Sequence, residues 1–157
     1  MRTFLARLAL LLLAAAAARA ADPTFERVWP RWRDADSFQS FYEDHTGREL
    51  VGKWTMLRSQ PARRSGFYFY TRVENPGNAI NGATFVVRVI APDSTDTRIY
   101  RFPADVPKGS RLFEIGLTGS DWGGQHVLPV AWDVELQAPD GRVLTERASF
   151  LWTRPES

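Results

Sequence analysis

With 157 residues, 13% aromatic side chains and no cysteine, the chain excludes a disulfide-stapled scaffold, thiol catalysis and a lipid anchor on cysteine. Its formal net charge of +2 comes from the first twenty residues, which hold Arg2, Arg7 and Arg19 and no acid; 20 − 3 leaves 17 basic against 18 acidic residues, a net of −1. That balance leaves a general nucleic-acid or anionic-membrane surface unsupported.

Residues 1–20 read as a signal peptide. Arg2 and Arg7 open the segment, Leu8 to Ala18 is unbroken apolar sequence, and Ala18-Arg19-Ala20 places small residues where a signal peptidase reads. The apolar run is short for a bilayer span. Cleavage after Ala20 is therefore expected, giving an exported, periplasmic or secreted chain with no membrane insertion. The remaining 157 − 20 = 137 residues suit one domain with its own core. Within them, residues 21–48 are expected to form an N-terminal arm and a short helix, and residues 49–157 a β-sandwich.

Asp22 to Arg33, with Pro23 and Pro30, reads as an extended arm laid on the domain. Asp36-Ser37-Phe38-Gln39 then has the form of a capping box, and Phe38, Phe41, Tyr42 and His45 follow at helical spacing before Gly47. One amphipathic α-helix over 35–46 is predicted, with His45 packed near its C-terminus. From there the period is two. Predicted strands are Leu50 to Leu57, Gly66 to Val73, Ala83 to Ile90, Thr97 to Phe102, Arg111 to Leu117, Val130 to Gln137 and Arg142 to Trp152, with Asn81-Gly82 among the turns that separate them. The last two form a hairpin across Pro139-Asp140-Gly141.

Seven such strands predict a mainly β, antiparallel immunoglobulin-like sandwich with a core around Trp132 that includes Leu144, Phe150 and Trp152. It is similar to immunoglobulin-like domains in fold pattern alone, because their paired cysteines are missing.

Chemistry-bearing residues are sparse. His45 and His126 are the only histidines, no serine sits in a Gly-x-Ser-x-Gly setting, and the Gly-rich stretch leads into a strand rather than a helix. No enzyme activity and no cofactor are expected. The unusual loop runs from Gly116 to His126. There Asp121, Trp122, Gln125 and His126 are candidate ligand-binding residues, because an indole plate with polar neighbours suits a sugar. Against this, Trp122 can fold back as a lid and Asp121 can cap a turn.

Asp121 and His126 also suggest a small hydrolase or metal-dependent enzyme, but fall short of the three or four ligands zinc sites use. Asp93 and Asp96, with Ser94 between, are weak metal candidates at calcium-like spacing whose commoner role is turn formation. Arg58, Arg63 and Arg64 cluster about the first inter-strand loop, where they either meet an acidic partner or stand solvated. Tyr68 and Tyr70 point away from the core, to be covered by the predicted helix or left as a partner or glycan surface.

The sequence thus reads as an exported, non-enzymatic β-sandwich module, an interaction or structural accessory domain of the cell envelope. Its expected partner is an envelope or extracellular protein or glycan. The alternatives are a carbohydrate-binding module around Trp122 and an enzyme around Asp121 and His126. Exposure of the Trp122 indole separates the first two readings.

Overall fold

A computed structural model of the protein describes residues 21–38 and 54–152. The predicted leader, the predicted helix beyond Phe38 with Phe41, Tyr42 and His45, and the first residues of the strand expected from Leu50 lie outside the described residues.

The strands are β1 (Thr24–Arg33), β2 (Trp54–Arg58), β3 (Gly66–Asn75), β4 (Ile80–Ile90), β5 (Thr97–Val106), β6 (Gly109–Thr118), β7 (Ala131–Gln137) and β8 (Val143–Ala148). They form two four-stranded sheets, ordered β1-β3-β6-β2 and β5-β4-β7-β8. Every pairing is antiparallel except that of β2 with β6. Consecutive strands β3 and β4 lie in different sheets, so each sheet is assembled from segments distant in sequence.

Among the described residues eight strands stand where seven were expected, because the arm is itself a strand, paired with β3 along its whole length. Two features hid it. A bulge between Phe25 and Arg27 breaks the period-2 pattern, and Pro30 is tolerated because β1 is an edge strand whose free side needs no N–H. Beyond β1, Asp36–Phe38 form a 3₁₀ turn, and no α-helix occurs among the described residues. Asn81-Gly82, read as a turn, is a bulge inside β4: Gly82 takes a φ of 73° and its N–H donates to Asp105 at 2.8 Å.

The core fills the space between the sheets. Phe67, Phe69 and Val73 of β3 and Phe113, Ile115 and Leu117 of β6 meet Phe85, Val87 and Val89 of β4 and Val134 and Leu136 of β7, all buried. Phe85 and Phe113 lie 4.7 Å apart between ring centres, and Trp132 packs edge-on to Phe69 at 5.6 Å. Each such aromatic removed from water contributes about 1.5–3 kcal/mol.

The last strand is shorter than expected. It ends at Ala148, so Phe150 is fully exposed and contributes nothing to the core, and Trp152 is half-buried beyond the strand. The closing hairpin has its turn where the sequence places it, with Gly141 at φ 86° and the Asp140 carboxylate accepting from the Arg142 N–H at 3.0 Å. One side of the sandwich is laced shut between β1 and β8. The Phe25 N–H donates to Thr145 Oγ1, and Arg147 donates to the Phe25 carbonyl.

Candidate functional site

Strand registers place the outward side chains of the first sheet in rows. Arg27 lies beside Arg72 and Leu112; Trp29 beside Tyr70, Glu114 and Met56; Arg31 beside Tyr68, Gly116 and Arg58. The central strand, Gly66–Asn75, is apolar on both sides, which is why two tyrosines are buried on a face that would otherwise be wet.

Tyr68 lies flat across Gly116, where a Cβ would come within 2.5 Å of the ring. Its other neighbours are Phe38, at 5.5 Å between ring centres, and Tyr70. Of the residues Phe38, Phe41 and Tyr42 that a helix here would lay over the outward tyrosines, Phe38, on the 3₁₀ turn, packs against them, and Phe41 and Tyr42 lie outside the described residues. Trp29 stacks on Tyr70 at 5.5 Å with the ring planes 16° apart.

Arginines cap this aromatic layer. Arg27 lies over Trp29 at 5.1 Å, Arg31 over Tyr70 at 4.9 Å, and Phe38 receives both Arg33 at 3.6 Å and Arg58 at 5.2 Å. Attraction to the ring faces holds each guanidinium in place while leaving N–H edges to bond in its own plane.

Arg33 is consumed internally. It donates to Glu114 at 3.0 Å, to the Tyr70 hydroxyl at 3.2 Å and to Ser37. Arg58 donates through Nε to the Tyr68 hydroxyl, which in turn donates to the Arg64 carbonyl at 2.6 Å.

Arg27, Arg31 and Arg58, by contrast, form no ion pair with any described carboxylate. Glu26, 3.9 Å from Arg72, and Glu74 on the outward side of β3 bound the positive patch at one end. At its centre Glu114 is buried, and that burial raises its carboxyl above the usual carboxylate range although Arg33, Arg31 and Arg58 pull it down. Burial likewise raises the Tyr68 hydroxyl.

The predicted loop residues sit in different environments. Trp122 is 4% exposed, its ring 5.1 Å from Phe67 and its indole N–H donating to the Val127 carbonyl at 2.9 Å. In that position it offers no plate on which a sugar can stack. Asp121 is half-buried on a 3₁₀ turn (Gly119–Asp121), its carbonyl accepting from Tyr100, while Gln125 and His126 are exposed.

Asp93 is bonded by Arg98 at 3.0 and 3.1 Å, and Ser94 Oγ accepts the Asp96 N–H at 3.0 Å, which is turn chemistry. Among the described residues the group of three or more His, Asp or Glu that could hold a metal is Asp133, Glu135 and Glu146, on the outer face of the second sheet. None of the four predicted metal candidates, Asp93, Asp96, Asp121 and His126, belongs to it. Arg88 Nη1 already sits 2.6 Å from both Asp133 and Glu135, supplying the positive charge a metal would bring.

Sequence reasoning missed the cationic face for two reasons. Net charge hides how charge is segregated, and Pro30 together with the bulge before Arg27 gives residues 24–33 the look of an arm although Arg27, Trp29, Arg31 and Arg33 alternate without interruption. The readable signal was Arg-x-Trp-x-Arg-x-Arg, an amphipathic strand with one cationic side. No helix among the described residues is long and apolar enough to cross a membrane. No protein-family model, no curated protein and no solved structure matches the chain.

Proposed function

We propose that this chain is an exported, non-enzymatic, immunoglobulin-like binding module that recognises an acidic segment of a protein partner through the outer face of its first sheet. The observation that carries this reading is that Arg27, Arg31 and Arg58 form no ion pair with a described carboxylate, while aromatic rings beneath hold Arg27 and Arg31 in place on Trp29 and Tyr70. Arginine backed by Trp and Tyr is the composition from which dominant interface contacts are built, and complementary charge steers the encounter. Export rests on the leader pattern of residues 1–20, and the immunoglobulin-like description on β3–β6 and β4–β7 as the central pairs of two facing sheets.

A protein partner is favoured over a glycan because the rings on this face are covered by guanidinium groups or by each other, and Trp122 is buried. The test is fluorescence anisotropy with labelled decaglutamate, decaglutamine as its neutral control, and a panel of neutral oligosaccharides. Mature protein binds the acidic peptide alone, with affinity that falls as salt rises, and Arg27→Gln/Arg31→Gln abolishes most of it. Preference for an oligosaccharide, or indifference to the double substitution, overturns the reading.

A further inference from the structure

The cationic face runs, at its Arg33 and Arg58 end, into a cleft of about 580 Å³ lined by Ala35, Gln60, Arg63, Arg64, Ser65 and Ser120 among others. The loop that walls it, between β2 and β3, is exposed along most of its length yet held from many sides. Ser59 N–H donates to the Gly116 carbonyl and Ser59 Oγ accepts from Thr118 N–H, each at 2.9 Å. The buried Thr118 hydroxyl accepts the Gln60 N–H and donates to the Gln60 carbonyl, both at 3.0 Å.

Gln60 Nε2 reaches Ser120 Oγ at 2.7 Å, Ser65 Oγ accepts from Ala35, and the Tyr68 hydroxyl holds the Arg64 carbonyl. Gly119, at φ 61°, fits so closely that a Cβ would lie 2.3 Å from Gln60 Oε1. A surface loop fixed this firmly is pre-organised beyond what joining two strands requires.

What the loop presents is positive charge. Arg63 and Arg64 are exposed and form no ion pair with a described carboxylate, and among the described residues no acid lines the cleft. Asp34, Asp36 and Asp121 are sequence neighbours of lining residues without lining it themselves. A single carboxylate has two oxygens, which one guanidinium fork satisfies; two guanidinium groups lining one cleft suit an anion with three or more free oxygens.

From this we infer that the cleft is a binding site for a tetrahedral oxyanion, a phosphate or sulfate group, with Arg63 and Arg64 as its ligands and Gln60 and Ser120 as the rigid wall that sets their spacing. It rests on the reading of the adjoining face as an anion-recognising surface and adds a distinct subsite at its end.

The test is a titration of mature protein with inorganic phosphate, with sulfate and with acetate at matched ionic strength, followed by backbone amide NMR shifts. Phosphate or sulfate gives saturable shifts confined to Gln60–Ser65, Gly119 and Ser120, and the arm that saturates first identifies which anion is preferred. Acetate binds at least about tenfold more weakly, the loss of one charge-assisted hydrogen bond. Arg63→Gln/Arg64→Gln weakens binding by at least the same factor, while Arg27→Gln/Arg31→Gln leaves the saturation curve unchanged. Equal response to acetate, shifts elsewhere, no saturation, or indifference to Arg63→Gln/Arg64→Gln each overturns the inference. Decaglutamate binding by the Arg63→Gln/Arg64→Gln protein keeps the proposal for the face separate from this one.

Discussion

The two outer faces of the sandwich carry opposite charge and manage it in opposite ways. On the second sheet Asp133 and Glu135 are buried around Arg88, and Gln137 adds a bond to Glu135 at 2.9 Å. There the positive charge is enclosed by acids and spent on them. On the first sheet the one central acid, Glu114, is bonded by Arg33 and also feels the charge of Arg31 and Arg58, while Arg27, Arg31 and Arg58 lie over rings and form no ion pair with a described carboxylate. A buried pair with its charge matched is a structural device; an unmatched cation held still on a ring is available to something outside the molecule.

The sharpest way to break this contrast is to remove the cation from the second sheet. Arg88→Ala leaves two carboxylates, each with a side chain 3% exposed, without their counterion, so we expect a loss of about 3–5 kcal/mol in urea unfolding. Replacing the pair partners along with it, as Arg88→Met/Asp133→Asn/Glu135→Gln, restores most of that stability. If the single change is silent, the second face is not held by its charge pairing.

A smaller effect is expected on the first face. Tyr68→Phe removes the hydroxyl that accepts from Arg58 and donates to the Arg64 carbonyl, costing about 1–2 kcal/mol in thermal unfolding while leaving the ring stack in place.

The smallest effect is in pH dependence. Glu114 and Asp133 both titrate above their ordinary range because burial disfavours the charged form. Over the window from the unfolded carboxylate range up to those raised values, the folded protein binds more protons than the unfolded chain. Their contribution to stability is therefore fully present below that window and is lost as pH rises through it. Glu114→Gln flattens this part of the stability curve. A slope unchanged by the substitution shows that Glu114 is not the group responsible.

Much of the frame was legible because it depends on local pattern. The pairing of Trp132, Val134 and Leu136 on one side of β7, the Asp140-Gly141 turn and the Phe67/Phe69 and Phe85/Val87 faces all follow from period two and turn chemistry, whereas Val130, expected to begin that strand, lies before it and is exposed. What sequence concealed were contacts between segments far apart. Phe150 looks like core in the sequence because it extends an apolar alternation, but the strand stops at Ala148 and Phe150 is fully exposed.

Trp122, the most conspicuous candidate for a ligand plate, is claimed by Phe67 and Val127, partners that composition does not reveal. The cationic face needs β1, β3, β6 and β2 brought into register, strands drawn from residues 24 to 118, before Arg58 comes beside Tyr68 and Arg31. Total charge, close to zero over residues 21–157, averages that face against the acidic one and so hides both.

The central claim, that the first sheet's outer face is the working surface, is tested most directly by mapping decaglutamate onto the protein spanning residues 21–157 through amide shift changes at saturation. The account predicts changes concentrated on the face built from β1, β3, β6 and β2 around Arg27, Arg31, Tyr70 and Arg58, with the outer face of β4 and β7 undisturbed. Changes centred on Gly123 to Leu128 or around Arg88, or none at all, would contradict it.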